Sequence, residues 1–559
     1  MAFQLSPGVN VSEIDLTTIV PSVATSIGAF AGPFAWGPAG EIITISDEVR
    51  LADRFGKPDS TNYEYWFSAA NFLAYTNTLK IVRAVSVADT RNAVASGTAL
   101  LIKNDDVWEQ NYSTGQASVG PFAARYPGSI GNSLKVSMAD ANTFATWSYA
   151  SSFTTAPSTS TYTANKGGTF DEVHVIVVDE DGKFTGTRGQ VLEVFPFASK
   201  AADARDDSGN STYYKNVLAT SSKYIHWMDH PTGVNANEAW GNNATSTAFA
   251  NLTANVSVSL SGGADGTVST ANVVTSYDSF ANADSVDISL LISGPGNATV
   301  ATSLISMAES RKDCVVFLSP TKASVVNNAG SEASAAVTFR DSLTSTSYAV
   351  IDGNWKYQYD KYNDVYRWIP CNGDIAGLCA RTDQERDPWY SPGGLNRGIL
   401  KNTIKLAWNP TKTDRDTLYV KGINPVVTFQ GEGTVLFGDK TMQSKPSAFD
   451  RINVRRLFIV LEKAIARAAR YSLFEFNDQF TRAQFVALVE PFLRDVQGRR
   501  GITDFRVVCD ESNNTGEVID RNEFVGDIYI KPARSINFIQ LNFVAVRTGV
   551  SFDEVVGKF

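Results

Sequence analysis

The sequence predicts an α/β and α+β multidomain fold, and three observations carry that prediction. Strand-like apolar runs alternate with helix-spaced runs in two separated stretches, 24–87 and 285–352, the pattern of packed α/β layers. Between them, from about Ala88 to Thr270, Ser, Thr, Asn, Ala and Gly dominate and short strands recur between turn-rich segments, which predicts one mostly β insertion. At 559 residues the chain also exceeds what one core organises, so two to four domains are expected.

Residues 1–22 read as an extended arm. Val9 and Val11 alternate, Ile14 and Leu16 alternate in shifted phase, and Ser6-Pro7-Gly8 and Pro21 bound the run. A strand without a local partner joins another sheet, in its own chain or in a neighbour. The α/β stretch that follows holds an apolar run Ile27 to Ala31, a turn at Gly32-Pro33, Trp36-Gly37-Pro38 and a strand Ile42 to Ile45. Ser46 is placed to cap a helix that ends before Gly56, a second helix spans about Tyr63 to Tyr75, and a strand covers Leu79 to Val87. In the insertion, strands are expected at Ser133 to Met138, Val173 to Val178 and Val191 to Phe195, and Asn142 to Gly168 as an exposed hairpin or loop. A βαβ unit follows: strand Val286 to Ile292, helix about Thr299 to Arg311, strand Cys314 to Leu318. A helix at about Glu332 to Leu343, a strand Tyr348 to Asp352, an aromatic segment Trp355 to Trp368 and a mixed connector over 370–424 complete this part.

Hydrophobic residues at 43% and charged residues at 19% exclude wholesale disorder, and no run of roughly 18 apolar residues is present to insert into a membrane. The start lacks the basic and apolar regions of a signal peptide, so synthesis in a cytoplasm is expected. Cys314, Cys371, Cys379 and Cys509 are too scattered for a disulfide framework and read as buried thiols. A net charge of −9 argues against direct nucleic-acid binding, which needs Lys and Arg in clustered excess.

Catalytic constellations are poorly supported. His226 and His230 stand four apart, but the metalloprotease glutamate is absent and Pro231 and Gly233 favour a loop, so no metal is expected. The turn Gly294-Pro295-Gly296-Asn297-Ala298-Thr299 lies between a strand and a helix, the setting of a dinucleotide loop. Thr299 stands where the third glycine belongs and Pro295 stiffens the turn, so a plain strand-to-helix turn is favoured and no cofactor is expected. A nucleotide- or cofactor-binding α/β enzyme using this turn remains the alternative of another class.

The closing block, Gly431 to Phe559, joins a glycine-punctuated strand (Gly431 to Gly438), a basic amphipathic helix at about Ser447 to Arg470, a second helix at about Thr481 to Gln497 and β-rich runs. Spacing at about 100° per residue puts Val454, Leu457, Phe458, Leu461, Ala464, Ile465 and Ala468 on one arc. Arg456, Lys463, Arg467 and Arg470 lie opposite, interrupted by Ile459. Such a helix docks one side on a sheet and offers the other to water or to an acidic partner.

Several stretches, in order, resemble the tail sheath proteins of contractile bacteriophages, most of all the T4-type sheath. They are Ser6 to Asp15, Trp36-Gly37-Pro38, Phe55-Gly56, Ala124-Arg125-Tyr126-Pro127-Gly128-Ser129-Ile130-Gly131-Asn132, Ile375 to Asp383, Gly431 to Thr441 and Ile452-Asn453-Val454-Arg455-Arg456-Leu457. The portion from about 140 to 280 matches loosely and is compact for that type. The resemblance implies a structural protein and no enzyme: hexameric rings stacked helically around a tail tube, held by baseplate and tail terminator proteins, assembled in the host cytoplasm and carried in the virion tail. A bacterial contractile injection system is the alternative setting. The implied layout is an N-terminal assembly arm over 1–22, a discontinuous middle α/β domain over 23–92 and 226–345, and a mostly β outer insertion over 93–225. An inner sheath core over 346–548 and a C-terminal arm over 549–559 complete it. Arm and receiving-strand residues would be Val9, Val11, Ile14, Leu16, Ile528, Ile530, Phe538, Leu541, Phe543 and Phe552. Arg456, Ile459, Lys463, Arg467 and Arg470 would face the tube.

Overall fold

The computed structural model describes residues 23–231, 239–537 and 540. Two compact units part between Tyr471 and Ser472.

The larger unit is built on a seven-stranded sheet whose strands run, from one edge to the other, Ile423–Asn424, Ala349–Asp352, Val315–Leu318, Leu290–Ile292, Gly28–Gly32, Leu79–Arg83 and Ile42–Ile45. All neighbours are parallel except the last pair. These strands are apolar on both faces because both faces are covered, as parallel sheets require. Phe30, Ile81, Leu290, Ile292 and Phe317 pack on one side with Trp66, Phe72, Ile375 and Leu378 from the helices Tyr63–Leu73 and Asn372–Glu385. Ala29, Ala31, Val82, Leu291 and Val316 face the other side, with Val273, Tyr277, Leu304 and Ala308 from the helices Thr270–Tyr277 and Ala298–Arg311. Strands and helices from two sequence segments some two hundred residues apart therefore make one two-sided core.

The boundary expected at residue 346 falls inside this sheet, because Ala349–Asp352 and Ile423–Asn424 extend it in parallel register. The boundary expected at 226 also moves. Ile225–Trp227 pairs with Phe122–Ala124, and Val256–Ser259 pairs with Leu134–Asp140, so the insertion keeps these later strands. Its main sheet is antiparallel in the order Gln190–Ser199, Glu172–Asp179, Leu134–Asp140, Val256–Ser259. Asn142 to Gly168 is a largely irregular surface segment with many exposed residues, as expected, but it is anchored. Trp147 is buried against Ile176 and Val178, donates from Nε1 to Ser137 Oγ at 2.8 Å, and stacks on Phe153. That aromatic run covers one face of the insertion sheet.

In the first α/β stretch the helix Glu48–Phe55 is capped by Asp47, which accepts from Arg50 N, and not by Ser46. Trp36 leaves the central sheet to pack in the insertion's core against Tyr126 and Phe184, with ring centroids at 5.5 and 5.0 Å. Gly37 at φ +95° lets this turn pass within contact of the Arg54 carbonyl, which an added Cβ would meet at 2.5 Å.

The smaller unit holds the helix Gln479–Gly498, capped by Asp478, and an antiparallel ribbon of Ile502–Val508 with Asp527–Pro532. Phe485, Val489, Leu493 and Val496 form the buried stripe of that helix, spaced by three or four as an amphipathic helix demands.

Candidate functional site

The basic helix resolves into Ile452–Ala469, and its apolar arc is buried as its spacing predicts except at half-buried Phe458. Its basic arc is not a free surface. Arg456 is buried, and its Nη1 and Nη2 grip the Asp383 carboxylate at 2.7 and 2.5 Å. The same guanidinium donates to the carbonyls of Cys379 and Thr25, both at 3.3 Å. Burial opposes its charge, but the Asp383 carboxylate more than offsets this and holds the group above its ordinary pKa. Ile459 is in the core. These two residues therefore do not face a tube from this chain; helical spacing marks a side of the helix, and the wall that side meets is helix Asn372–Glu385.

The rest of the arc meets an acidic run ahead of strand Leu290–Ile292. Lys463 pairs with Asp287, Arg467 Nη2 reaches Asp287 Oδ2 at 3.4 Å, and Arg470 Nη2 reaches Asp284 Oδ1 at 2.6 Å. Exposure grows along the arc, from 5% for the Arg456 side chain to 43% for Arg467 and 66% for Arg470. Beside it the segment from Val23 enters the fold: Ser289 Oγ donates to Ala24 O at 3.0 Å, and Ile27 O accepts from Ser289 N and Leu290 N. The root of the N-terminal stretch and the basic helix are thus pinned to one another.

In a doubly wound sheet, ligands bind beyond the carboxyl ends of the strands. Here that end is filled by protein. Asn372 Nδ2 donates to Gly294 O at 2.7 Å, Ser319 Oγ donates to Asp352 Oδ2 at 2.6 Å, and Lys356 Nζ is paired with Asp374 at 2.9 Å, all buried. Burial pushes the Asp352 carboxyl up to about 7. A Cβ on Gly296 would lie 2.4 Å from Pro320 O, and Asn297 caps the following helix by accepting from Thr299 N and Val300 N. The Gly294–Thr299 turn is a packed strand-to-helix turn, which removes the structural basis of the enzyme alternative. Gly373 and Gly377 bring the plugging helix against Ser68 O and the Tyr75 ring, 2.2 and 2.4 Å from where a Cβ would stand. His226 stacks on Trp108 within a strand while His230 bonds Tyr214 Oη through Nδ1 at 2.6 Å, so the two imidazoles do not converge. All four cysteines are buried thiols.

The ribbon of the smaller unit has no third strand on either edge among the described residues. Ile528 and Ile530 are half-buried on the strand Asp527–Pro532, opposite Val507 and Phe505. Val9, Val11, Ile14, Leu16, Phe538, Leu541, Phe543 and Phe552 lie outside the described residues.

Three family descriptions match successive parts of the chain. Residues 25–84 match the tail sheath protein Gp18 domain III N-terminal region, 266–442 the phage tail sheath protein central domain, and 444–545 the phage tail sheath C-terminal domain. The tail sheath protein of Vibrio phage KVP40 is 34% identical over 99% of this chain and 100% of its own. The chain belongs to the phage tail sheath family. The tail sheath protein of Enterobacteria phage T4 is 33% identical over 99% of both chains. The KVP40 alignment runs over 680 positions against 559 residues here, so that relative carries segments this sheath protein lacks. The β insertion occupies the stretch between the first two family matches. Among solved structures, a sheath tail protein from Listeria innocua superposes with a TM-score of 0.53 at 11% identity, covering 93% of this chain and 95% of that one. The anti-feeding prophage helical sheath in its contracted state gives 0.51 at 14%, covering 97% and 99%. At such identities these two show a shared sheath fold.

Among the described residues, two pairs of the stretches that carry the family resemblance meet. Trp36 packs edge-on against Tyr126, with Gly128 close to the preceding Ala35, whose carbonyl an added Cβ would meet at 2.7 Å, and Ile375 to Asp383 meets Ile452 to Leu457 through Asp383 and Arg456. Sequence reasoning passed over helix Asn372–Glu385 as a connector; its only signal was a six-residue apolar run.

Proposed function

We propose that this chain is the subunit of a contractile phage tail sheath in which hexameric rings stack helically around a tail tube, linked by strands passed from one subunit to the next. The observation that carries the reading is the two-stranded ribbon with no third strand on either edge among the described residues, in a chain whose first residues alternate as a strand does. The ribbon leans on helix Gln479–Gly498, with Gln497 Nε2 donating to Thr503 O at 2.9 Å, and a strand edge that presents unpaired backbone groups is a template for an added strand. Residues 2–20 of a neighbour, with Val9, Val11, Ile14 and Leu16, would add to the sheet bearing Ile528, Ile530, Phe538, Leu541 and Phe543. The segment 549–559, with Phe552, would serve as the second arm. Five or six backbone hydrogen bonds at about 1 kcal/mol each supply roughly 5 kcal/mol per added strand. Such bonds are indifferent to what lies on the tube, so the links persist while subunits slide.

Contraction then needs no fuel at the filled end of the sheet. The extended sheath is a metastable assembly held by tube, baseplate and terminator contacts, and it relaxes as subunits gain burial against each other. Of the basic arc, Arg467 and Arg470 are the residues exposed enough to reach an acidic tube, exchanging Asp287 and Asp284 for it. Salt-screened contacts of that kind are releasable. Curated relatives at about one-third identity are phage proteins, which favours a virion tail over a bacterial injection system. Deleting residues 1–20 tests the reading: a folded protein that forms no tubes under negative-stain microscopy is expected, and unaltered tubes refute it.

A further inference from the structure

We infer that the turn Leu473 to Phe480 is a knuckle by which one copy of this chain grips a second copy, in the apolar patch of Leu395, Ile399 and Phe437. The inference rests on the self-assembly proposed above. Leu473, Phe474, Phe476 and Phe480 are 63, 105, 83 and 74% exposed, a density of bare large apolar side chains that marks an interaction site. The turn is built and not slack. Asn477 Nδ2 donates to Glu523 O at 2.8 Å, Arg482 Nη1 donates to Asn477 Oδ1 at 2.9 Å, and Asp478 Oδ1 caps the next helix by accepting from Thr481 N at 2.8 Å. Phe474 is held at φ +71°, a left-handed conformation that a bulky residue adopts only when its surroundings impose it.

The patch lies on the larger unit. Gly394 N donates to Leu436 O at 2.9 Å, Leu436 N donates to Gly398 O at 2.8 Å, and Ile399 bridges Val435. This gathers Leu395, Ile399 and Phe437, each 42–44% exposed, around the strand Gly433–Leu436. Arg415 lies over the Phe429 and Phe437 rings, 6.0 and 5.9 Å from their centroids, with no carboxylate partner among the described residues. Glu475 on the knuckle is exposed and likewise without a cation among them. Apolar surface thus faces apolar surface, with one unmatched charge of each sign.

Three arguments favour a second copy over the tube. Both halves of the contact are on this chain. They are different surfaces, so their union is head-to-tail and generates rings or helices, as a sheath needs. An apolar joint suits a permanent contact, whereas a contact to be released is better made polar. Three phenylalanines and a leucine would bury roughly 500–700 Å² on one side, near the ~800 Å² per partner of a standard interface.

The test uses the full chain. Phe474→Ser with Phe476→Ser removes only exposed side chains, so the expected product is folded and forms no tubes. Glu475→Arg and Arg415→Glu should each slow tube formation about tenfold, and their combination should restore it. In chains mixed from Phe476→Cys and Ile399→Cys variants, a short bis-maleimide should link the two in the assembled fraction alone, since the native cysteines are buried. Tubes that form from the serine variant as from wild type, or tubes that never cross-link, overturn the inference and leave the self-assembly reading standing. A serine variant that assembles alone but not around tail tube makes the tube the occupant and refutes the second copy. Failure of wild type to form any tube removes the self-assembly reading and this inference with it.

Discussion

Asp383→Ala isolates the buried end of the basic arc. It leaves Arg456 charged at a site where the side chain is 5% exposed, with two carbonyls at 3.3 Å as its remaining acceptors. Removing one partner of a buried, doubly bonded pair costs about 3–5 kcal/mol, mostly from the uncompensated charge left behind. Arg470→Ala provides the internal contrast, because that pair is 66 and 77% exposed and is worth less than about 1 kcal/mol. Denaturant unfolding of the unassembled chain, followed by tryptophan fluorescence, reads both. Asp383→Ala should lower the midpoint clearly, with little dependence on salt, while Arg470→Ala should barely move it. The double variant Asp383→Leu with Arg456→Met should recover most of the loss, since apolar replacements of a buried pair are often neutral or better. A loss below about 1 kcal/mol for Asp383→Ala, or a loss that vanishes in high salt, would show that Arg456 is solvated and would refute the burial argument.

Three further predictions follow from packing and titration. Asp352 titrates near 7 when folded and near 3.9 when unfolded, so the native state takes up its proton first as pH falls; the stability owed to this group is fullest below about pH 4 and declines by up to ~1.4 kcal/mol per unit as pH rises toward 7. Asp352→Asn should therefore gain on wild type steadily across that window in denaturation series, and a constant difference would contradict the assignment. Gly296→Ala drives a methyl into the Pro320 carbonyl and should cost about 1–3 kcal/mol by calorimetry; an unchanged melting profile would mean the turn has room to spare. Trp147→Ala empties a buried site on the insertion sheet and should cost about 3–5 kcal/mol, with limited proteolysis cutting first within 142–168; equal resistance to wild type would mean that Trp147 does not anchor that segment.

Much of the central sheet is legible from sequence because its signals are local. Gly28–Gly32 and Leu290–Ile292 are short apolar runs bounded by turn residues, and Asn297 announces the start of helix Ala298–Arg311 one residue ahead of it. What escapes reading is what depends on distant partners. Helix Asn372–Glu385 is buried on every side from Asn372 to Ala380, with Asn372 and Asp374 among the buried residues, so it has no clean amphipathic period, and its glycines look like breakers when they are contact points for another helix. Spacing separates the two arcs of the basic helix correctly but carries no sign of Asp383, Asp284 and Asp287, which decide what the charged arc meets. Domain limits fail for the same reason: the pairing of Val256–Ser259 with Leu134–Asp140 leaves no mark in either segment.

The position of Gly28–Gly32 has a mechanical consequence. This strand is central, flanked in parallel by Leu79–Arg83 and Leu290–Ile292, and it is the first strand after the root held by Ser289 and Arg456. Force applied along the axis of this strand loads the ladders on both sides in shear, so they must yield together. A terminal strand at the sheet's edge, pulled sideways, would instead unzip bond by bond. The larger unit therefore resists a pull along Gly28–Gly32 better than it would if its first described strand lay at an edge.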